Sequence, residues 1–249
     1  MRQKKWIVTP AVVQRVKALV EQQKDTPFVR QRVRRNLAKD KPMVEKSEFW
    51  KQLIVCILTS RQRSGPDSPV AKLSGTDPFV LSYETCAGQA DVVSYVKGQL
   101  SKFGVTRFTE KIPAFLKTNL EEFDSGLWDK TSQELEELRA KQDQRTERMA
   151  ASFIETSYNG IGPKQARNVL QCVGLTRFEI PIDSRIEGWF ERLGWPFEYK
   201  LSGKGYCYIM DDIQELCREC GVLPCVLDAS IFNSVDGDAW TEEKVKGVF

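Results

Sequence analysis

The sequence contains no histidine, and this absence excludes much of enzyme chemistry. A Ser-His-Asp triad, a Cys-His dyad, a histidine general base and most zinc sites all need an imidazole. Any catalysis by this chain therefore has to depend on lysine, aspartate, glutamate, tyrosine or cysteine side chains.

Long hydrophobic runs are also absent. No segment approaches the roughly 18 apolar residues of a membrane-spanning helix, and the apolar stretch after the basic first residues is too short for a signal peptide. We therefore expect an intracellular protein that does not contact a membrane. The seven cysteines are odd in number and scattered, which favours buried thiols over a disulfide framework.

Basic residues are concentrated near the start of the chain. The basic positions of this run are Lys24, Arg30, Arg32, Arg34, Arg35, Lys39 and Lys41, and the acidic ones are Asp25 and Asp40. The run suits a polyanionic partner. It equally fits the solvated face of a helix whose apolar side carries Val29, Val33 and Leu37.

The apolar spacing predicts an all-α fold. Residues 12–20 return to one face at a period near 3.6, and Thr9-Pro10 is typical of a helix start. Residues 49–58 are apolar on most sides, which indicates a central helix, and a polar loop suited to function follows it. We expect further helices at 91–103, 111–120 and 132–158. No long alternating strand pattern occurs.

The most informative segment is Tyr158–Leu170, where two glycines spaced by one apolar residue interrupt a helical pattern. Pro163 fits the first turn of the next helix. The turn at Gly160 and Gly162 would leave backbone N–H groups exposed at a helix start, where they can hold a DNA phosphate. A plain connector between two helices is the alternative.

Asp183 follows Lys164 by nineteen positions. A helix of about ten residues and a short return loop would bring Asp183 back near the hairpin. Its other interpretation is the N-cap of the helix that contains Ile186 and Phe190.

Together, the hairpin, Lys164 at its exit and Asp183 after Pro181 resemble the helix-hairpin-helix DNA glycosylases. The lysine is typical of the bifunctional members, such as endonuclease III and the 8-oxoguanine glycosylases. Residues 49–62 also resemble the family helix that ends in a Ser-x-Gln turn. The resemblance is strongest over Phe49–Gln62 and Tyr158–Trp195.

The resemblance implies two helical lobes around a cleft. The central lobe would span residues 45–171 and end in the hairpin, and the second would combine 1–44 with 172–249. It also implies a base-excision enzyme. In such an enzyme Lys164 would attack C1′ of an extruded nucleotide, Asp183 would stabilise the positive charge on the sugar, and a Schiff base would lead to strand cleavage by β-elimination. Attack requires the neutral amine, which burial favours.

The resemblance also implies the DNA contacts. Gln62 would enter the duplex at the vacated base position, with Arg61 and Arg63 beside it. Arg185 stands where many relatives have a histidine, and we expect it to contact a phosphate.

Two features near the C-terminus bear on cofactor and base. Between Cys207, Cys217, Cys220 and Cys225 lie nine, two and four residues, whereas the cysteines of the endonuclease III cluster are separated by six, two and five. We therefore expect no iron–sulfur cluster and no other cofactor.

Asp228 and Phe232 resemble two residues in the last helix of archaeal-type 8-oxoguanine glycosylases, and we expect them to contact a flipped purine. A helix-start acid and a core aromatic are the alternative.

We therefore expect a monomeric glycosylase and apurinic/apyrimidinic lyase that acts on damaged double-stranded DNA, with 8-oxoguanine as the first substrate. An oxidised pyrimidine or another modified base is the second. A non-catalytic DNA-binding module is the rival, because phosphate binding needs only backbone and basic groups.

Overall fold

The computed structural model describes residues 6–41, 43–60, 62, 65, 67–195, 201–236 and 240–248. These residues form an all-α fold, and no β-strand occurs among them. The helices are α1 (Pro10–Gln23), α2 (Pro27–Leu37), α3 (Lys46–Leu58), α4 (Pro69–Ser74), α5 (Tyr83–Ala87), α6 (Val92–Lys102), α7 (Lys111–Glu122), α8 (Trp128–Lys141), α9 (Gln144–Ser157), α10 (Pro163–Cys172), α11 (Ser184–Arg192), α12 (Gly203–Cys220), α13 (Pro224–Val235) and α14 (Glu242–Val248).

Local sequence signals start and end several of these helices. The Oγ1 atom of Thr9 accepts a hydrogen bond from the Val12 N–H at 3.3 Å, and Pro10 occupies the first turn of α1, as predicted. Gly174 ends α10 with φ at +79°, the left-handed conformation that glycine adopts readily.

The charged segment 132–158 is not one continuous helix. Gln142 adopts a left-handed conformation at the end of α8, and the Asp143 carboxylate accepts the Thr146 N–H at 2.8 Å to start α9. The two helices pack against each other. No glycine or proline marks this break, and Asp143, one acidic residue in a highly charged stretch, was its only helix-start signal.

The largest hydrophobic core is built around α3, whose apolar residues are buried on nearly all sides. It includes side chains from Phe49 to Leu175. A second core joins α1 with α11, α12 and α13, and a smaller cluster joins α2, α13 and the segment around Trp240. None of the helices in the described part of the chain is both long and apolar enough to span a bilayer.

The basic run at 24–41 divides between several roles. The buried Lys41 ammonium donates to the carbonyl oxygens of Arg35, Asn36 and Gly174, so it joins the C-terminal ends of α2 and α10. Arg30 pairs with Glu242 of α14. Lys41 and Arg30 therefore join α2 to neighbouring elements, whereas Lys24, Arg34 and Lys39 are exposed, as on a solvated face. Binding of a polyanion by this run stays a prediction.

Candidate active site

An open cavity of about 820 Å³ lies between the large core and the small cluster formed by α2, α13 and Trp240. Helices α3, α4 and α10 line one side, and α2, α13 and the start of α11 line the other. Its volume is in the range of pockets that hold small molecules. Both Lys164 and Asp183 line this cavity, so two side chains nineteen positions apart face the same opening.

Helix α10 directs the lysine into the cavity through its amphipathic pattern. Lys164, Asn168 and Gln171 follow one another at i, i+4 and i+7 and line the cavity. Ala166 and Val169 on the opposite face are fully buried in the large core. The half-buried Lys164 has no hydrogen-bond or ion-pair partner among the described residues, which leaves its amine available to a bound molecule.

The hairpin before α10 is held rigidly. The buried Asn119 side chain donates to the Asn159 carbonyl at 3.0 Å and accepts the Asn159 N–H at 2.7 Å. Gly160 has φ at +82°, and a Cβ atom there would lie 2.5 Å from the Phe115 ring. Any other residue at position 160 would therefore meet both backbone strain and a steric clash.

The start of α10 offers unpaired backbone donors. Within the described structure, the N–H groups of Gly162, Lys164 and Gln165 have no acceptor, and no side chain caps the helix. A Cβ atom at Gly162 would contact nothing within 4 Å, so the approach to these groups is open. Such a helix start attracts an anion, as a phosphate-binding hairpin requires.

Gln165 ties this helix start to the end of α3. Its amide donates to the Ser60 hydroxyl at 2.9 Å and to the Cys56 carbonyl. Gln62, the predicted wedge, lines the cavity and donates its own amide hydrogen to the Leu58 carbonyl at 2.7 Å. Arg61 and Arg63 lie outside the described residues.

Asp183 is the N-cap of α11 as well as a cavity residue. One carboxylate oxygen accepts the N–H groups of Arg185 and Ile186 at 2.9 and 3.2 Å. The segment before it is anchored by Tyr206, whose hydroxyl donates to the Ile180 carbonyl and accepts the Ile182 N–H, both at 2.8 Å. The N-cap interpretation is confirmed. The catalytic one stays a prediction, for which the 20% exposed side chain lies at the cavity with one oxygen in the cap and the other paired with Arg185.

Arg185 is engaged on three sides. Its guanidinium pairs with the second oxygen of Asp183 at 3.0 Å and with Asp236 at 3.3 Å. It also lies 4.2 Å from the centroid of the Phe232 ring. A phosphate contact by Arg185 would replace these contacts, and it stays a prediction.

Phe232 stacks on Phe28 with ring centroids 4.6 Å apart and an interplanar angle of 10°. Since Phe28 and the Arg185 guanidinium are both so close to the ring, they occupy its two faces. A flipped base would reach Phe232 only after Arg185 moved away. Stacking on Phe232 therefore stays a prediction as well.

Asp228 lies on the wall of the cavity and is buried. It accepts a hydrogen bond from the Gln171 amide at 2.6 Å. Burial raises its pKa to about 6, the Asp183 charge acts in the same direction, and the charges of Arg32 and Lys164 oppose this rise. The carboxyl group of Asp228 is thus electrostatically coupled to both predicted catalytic side chains.

Sequence reasoning missed two cavity residues that act on Asp228, Gln171 through its hydrogen bond and Arg32 through its charge. Arg32 was only one of seven basic residues in a run, and Gln171 was not singled out at all. The polar stripe of Lys164, Asn168 and Gln171 on an otherwise apolar helix was the available signal for Gln171. No signal in the sequence pointed to Arg32, because its place at the cavity depends on how α2 packs against α13.

The four C-terminal cysteines are separated from the cavity wall. Cys217, Cys220 and Cys225 are buried, and Cys207 is half-buried on α12. In the part of the chain that the structure describes, no group of three histidine, cysteine, aspartate or glutamate side chains could hold a metal ion.

Comparison with solved structures identifies the architecture. The 8-oxoguanine DNA glycosylase of Thermotoga maritima is similar with a TM-score of 0.63 and 19% identity, over 93% of this chain and 99% of that one. The 8-oxoguanine glycosylase/lyase of Methanocaldococcus jannaschii, in complex with a 15mer DNA containing 8-oxoguanine, gives a TM-score of 0.62 and 18% identity, over 91% of this chain and 100% of that one. The chain has the 8-oxoguanine DNA glycosylase fold.

No family model and no curated protein matches the sequence. At such low identity, the glycosylase fold is what these two structures establish for this chain. Within the glycosylase fold, the cavity, the hairpin and the Lys164–Asp183 pair are features of this chain's own geometry.

Proposed function

We propose that the chain is a DNA glycosylase and apurinic/apyrimidinic lyase that removes an oxidised base, 8-oxoguanine first, from double-stranded DNA. The observation that carries the proposal is that Lys164 and Asp183 line one cavity. A DNA-binding hairpin needs neither a lysine amine nor a carboxylate in a pocket. The solved structures of the same fold, which are 8-oxoguanine DNA glycosylases, add support.

The proposed reaction begins with a nucleotide rotated out of the duplex into the cavity. The neutral amine of Lys164 attacks C1′, the glycosidic bond breaks, and the base leaves with the bonding electrons and takes up a proton. Asp183 stabilises the positive charge on the sugar. The adduct opens to a Schiff base, loss of a proton from C2′ breaks the C3′–O bond, and hydrolysis then releases Lys164.

The rest of the molecule would position the DNA. The open N–H groups at the start of α10 would bind a backbone phosphate, and Gln62 would fill the gap left by the base. Asp228, with Gln171, is placed to form hydrogen bonds with the extruded base. We also propose two lobes, one of residues 45–171 and one of residues 1–44 with 172–249. The two larger hydrophobic cores support this division, because each is built mainly from one of these parts of the chain.

Borohydride trapping tests the nucleophile. Wild-type protein mixed with a duplex containing 8-oxoguanine and borohydride should give a covalent protein–DNA adduct, and Lys164→Gln should abolish it. Lys130→Gln, at an exposed position of α8 outside the cavity, is the matched control and should trap like wild type. Adduct formation by Lys164→Gln would show that another amine is the nucleophile.

The same assay separates the enzyme from a silent DNA-binding module. Such a module would bind undamaged and damaged duplexes equally and would trap neither. A panel of duplexes that contain 8-oxoguanine, an oxidised pyrimidine or an abasic site would then rank the substrates by cleavage rate.

A further inference from the structure

The chain continues beyond α13 into residues that have no role in the proposed reaction. Among them, Trp240 is 9% exposed and lines the cavity, and α14 packs on α2. The centroid of the Trp240 ring lies 5.1 Å from that of Phe28 and 6.0 Å from that of Phe232. Val245 of α14 is buried in the same cluster. Trp240 and α14 are therefore a packed part of the molecule beside the cavity.

Two ion pairs tie α14 to different elements. Glu242 pairs with Arg30 of α2. The Lys244 ammonium lies 3.7 Å from the carboxylate of Asp67, in the loop between α3 and α4. Both pairs are largely exposed and contribute little by themselves. Together with the burial of Val245, they hold α14 between α2 and the loop that precedes α4.

Trp240 is connected to Asp183 through two side chains. Its indole N–H donates to the Oδ2 atom of Asp236 at 2.8 Å. The Oδ1 atom of Asp236 lies 3.3 Å from the Arg185 guanidinium, which also pairs with Asp183 at 3.0 Å. The Asp236 side chain is 11% exposed, so solvent screens its charge only weakly. The Arg185 guanidinium is thus divided between two carboxylates.

This division affects the charge that Asp183 can offer to a sugar. A guanidinium bound to one carboxylate alone forms the strong, bidentate pair, which would offset much of the negative charge of Asp183. Asp236 competes for the same guanidinium and so leaves more of that charge for a positive sugar. The hydrogen bond from Trp240 fixes Asp236 in the place from which it competes.

We propose that Asp236 and Trp240 are positioning residues of the base-excision step, which act on Asp183 through Arg185, and that α14 holds Trp240 in place. The inference rests on the proposed function. The effect should be confined to cleavage of the glycosidic bond, the step in which positive charge develops on the sugar. Strand cleavage at an abasic site begins with the sugar aldehyde, so no glycosidic bond has to break there.

The ratio of two rates measures this effect. Base excision from a duplex containing 8-oxoguanine and strand cleavage at an abasic site are followed in single turnovers with saturating enzyme. Asp236→Asn keeps an acceptor for the Trp240 N–H and removes the charge, so it should slow excision by about tenfold relative to abasic-site cleavage. Asp236→Glu, which keeps the charge, should lose less. Trp240→Phe, which keeps an aromatic ring but lacks the N–H, should lower the ratio by about threefold.

A double variant shows whether the effect passes through Arg185. Arg185→Gln releases Asp183 and should excise at least as fast as wild type with saturating enzyme. Adding Asp236→Asn to it should change the ratio by less than about twofold, because the group for which the carboxylates compete is gone. A tenfold loss in both backgrounds would show that Asp236 acts by another route. Slower excision by Arg185→Gln alone would show that Arg185 assists Asp183; either result overturns the proposal.

Two control variants remove equivalent interactions outside the cavity. Trp50→Phe loses the indole hydrogen bond to the Leu81 carbonyl at 3.0 Å, and Asp124→Asn loses an ion pair with Lys46. Both losses lower stability, but the ratio of the two rates should stay at the wild-type value.

The outcomes separate this inference from the proposed function. If wild type excises 8-oxoguanine while Asp236→Asn keeps the wild-type ratio, this inference alone is wrong. Should Asp236→Asn not fold, an unchanged ratio in Trp240→Phe has the same meaning. A wild type that excises no lesion would overturn the proposed function and the inference with it.

Discussion

At the scale of single residues, Asp183 serves both the fold and the proposed site. Asp183 starts α11 through hydrogen bonds to two backbone N–H groups and at the same time presents its charge to the cavity. The hydrogen bonds of an N-cap aspartate to the helix start also fix the orientation of its carboxylate. Structural and catalytic roles can be separated at this position because asparagine caps a helix about as well as aspartate.

We expect Asp183→Asn to slow base excision by about 100-fold or more, since the carboxylate charge on the sugar is lost. The melting temperature should change little. Single-turnover excision and thermal unfolding measure the two effects. A variant that excises at the wild-type rate would remove Asp183 from the catalytic mechanism.

The raised pKa of Asp228 predicts that the stability of the protein depends on pH. Burial raises its pKa from 3.8 to about 6, so between these values the folded protein keeps a proton that the unfolded chain has lost. The free energy of unfolding therefore falls as pH rises through this window, by at most about 3 kcal/mol. Asp228→Asn should be more stable than wild type at pH 7 and equal to it near pH 4. Equal stability at both pH values in urea unfolding would contradict this assignment.

At the scale of elements, the hairpin between α9 and α10 depends on two glycines for different reasons. Gly160 needs a positive φ and a close approach to Phe115, whereas Gly162 has extended backbone with open space around it. The first glycine is therefore required by the fold. The second keeps the helix start accessible.

We expect Gly160→Ala to lower the free energy of unfolding by about 2–5 kcal/mol, the sum of left-handed strain and overpacking. Gly162→Ala should cost less than about 1 kcal/mol. Chemical denaturation of both variants checks the difference. Equal losses would show that Phe115 and the backbone do not constrain the turn as described.

At the scale of the whole molecule, a buried acidic pair connects the large core to the segment that leads to Asp183. Glu147 of α9 accepts the N–H groups of Arg177, Phe178 and Glu179 at 2.7–3.0 Å. Glu179 in turn accepts hydrogen bonds from Arg148 and Arg167. The position of Asp183 relative to the large core thus depends on a network outside the cavity.

Glu147→Ala should reduce the free energy of unfolding by about 3 kcal/mol or more, because three backbone donors lose their acceptor. Excision should also slow in protein that is still folded, since Asp183 is less well held. Glu137→Ala, which removes only an exposed ion pair with Lys141, is the matched control and should cost at most about 0.5 kcal/mol. Thermal unfolding and single-turnover rates below the transition test both statements. A fully stable Glu147→Ala variant would mean that the network is dispensable.

The sequence by itself determined the elements whose causes are local. Apolar periodicity and capping residues predicted α1, α3 and α10. The hairpin pattern with Lys164 and Asp183 predicted two side chains at one site, and both line the cavity, since a short helix and loop connect them. The division of 132–158 into α8 and α9 escaped prediction because the left-handed residue is a glutamine and not a glycine, and the Asp143 cap is one acidic residue among many charged ones.

Only the tertiary structure decided the composition of the cavity wall. Arg32, Phe28 and Cys56 reach it through the packing of helices that are distant in sequence, and Arg185 is held by Asp236 from beyond α13. Such contacts depend on the summed burial of whole helix faces rather than on spacing along the chain. For this reason the sequence could predict that Lys164 and Asp183 belong to one site, whereas it could not predict the surroundings that set the pKa of Asp228.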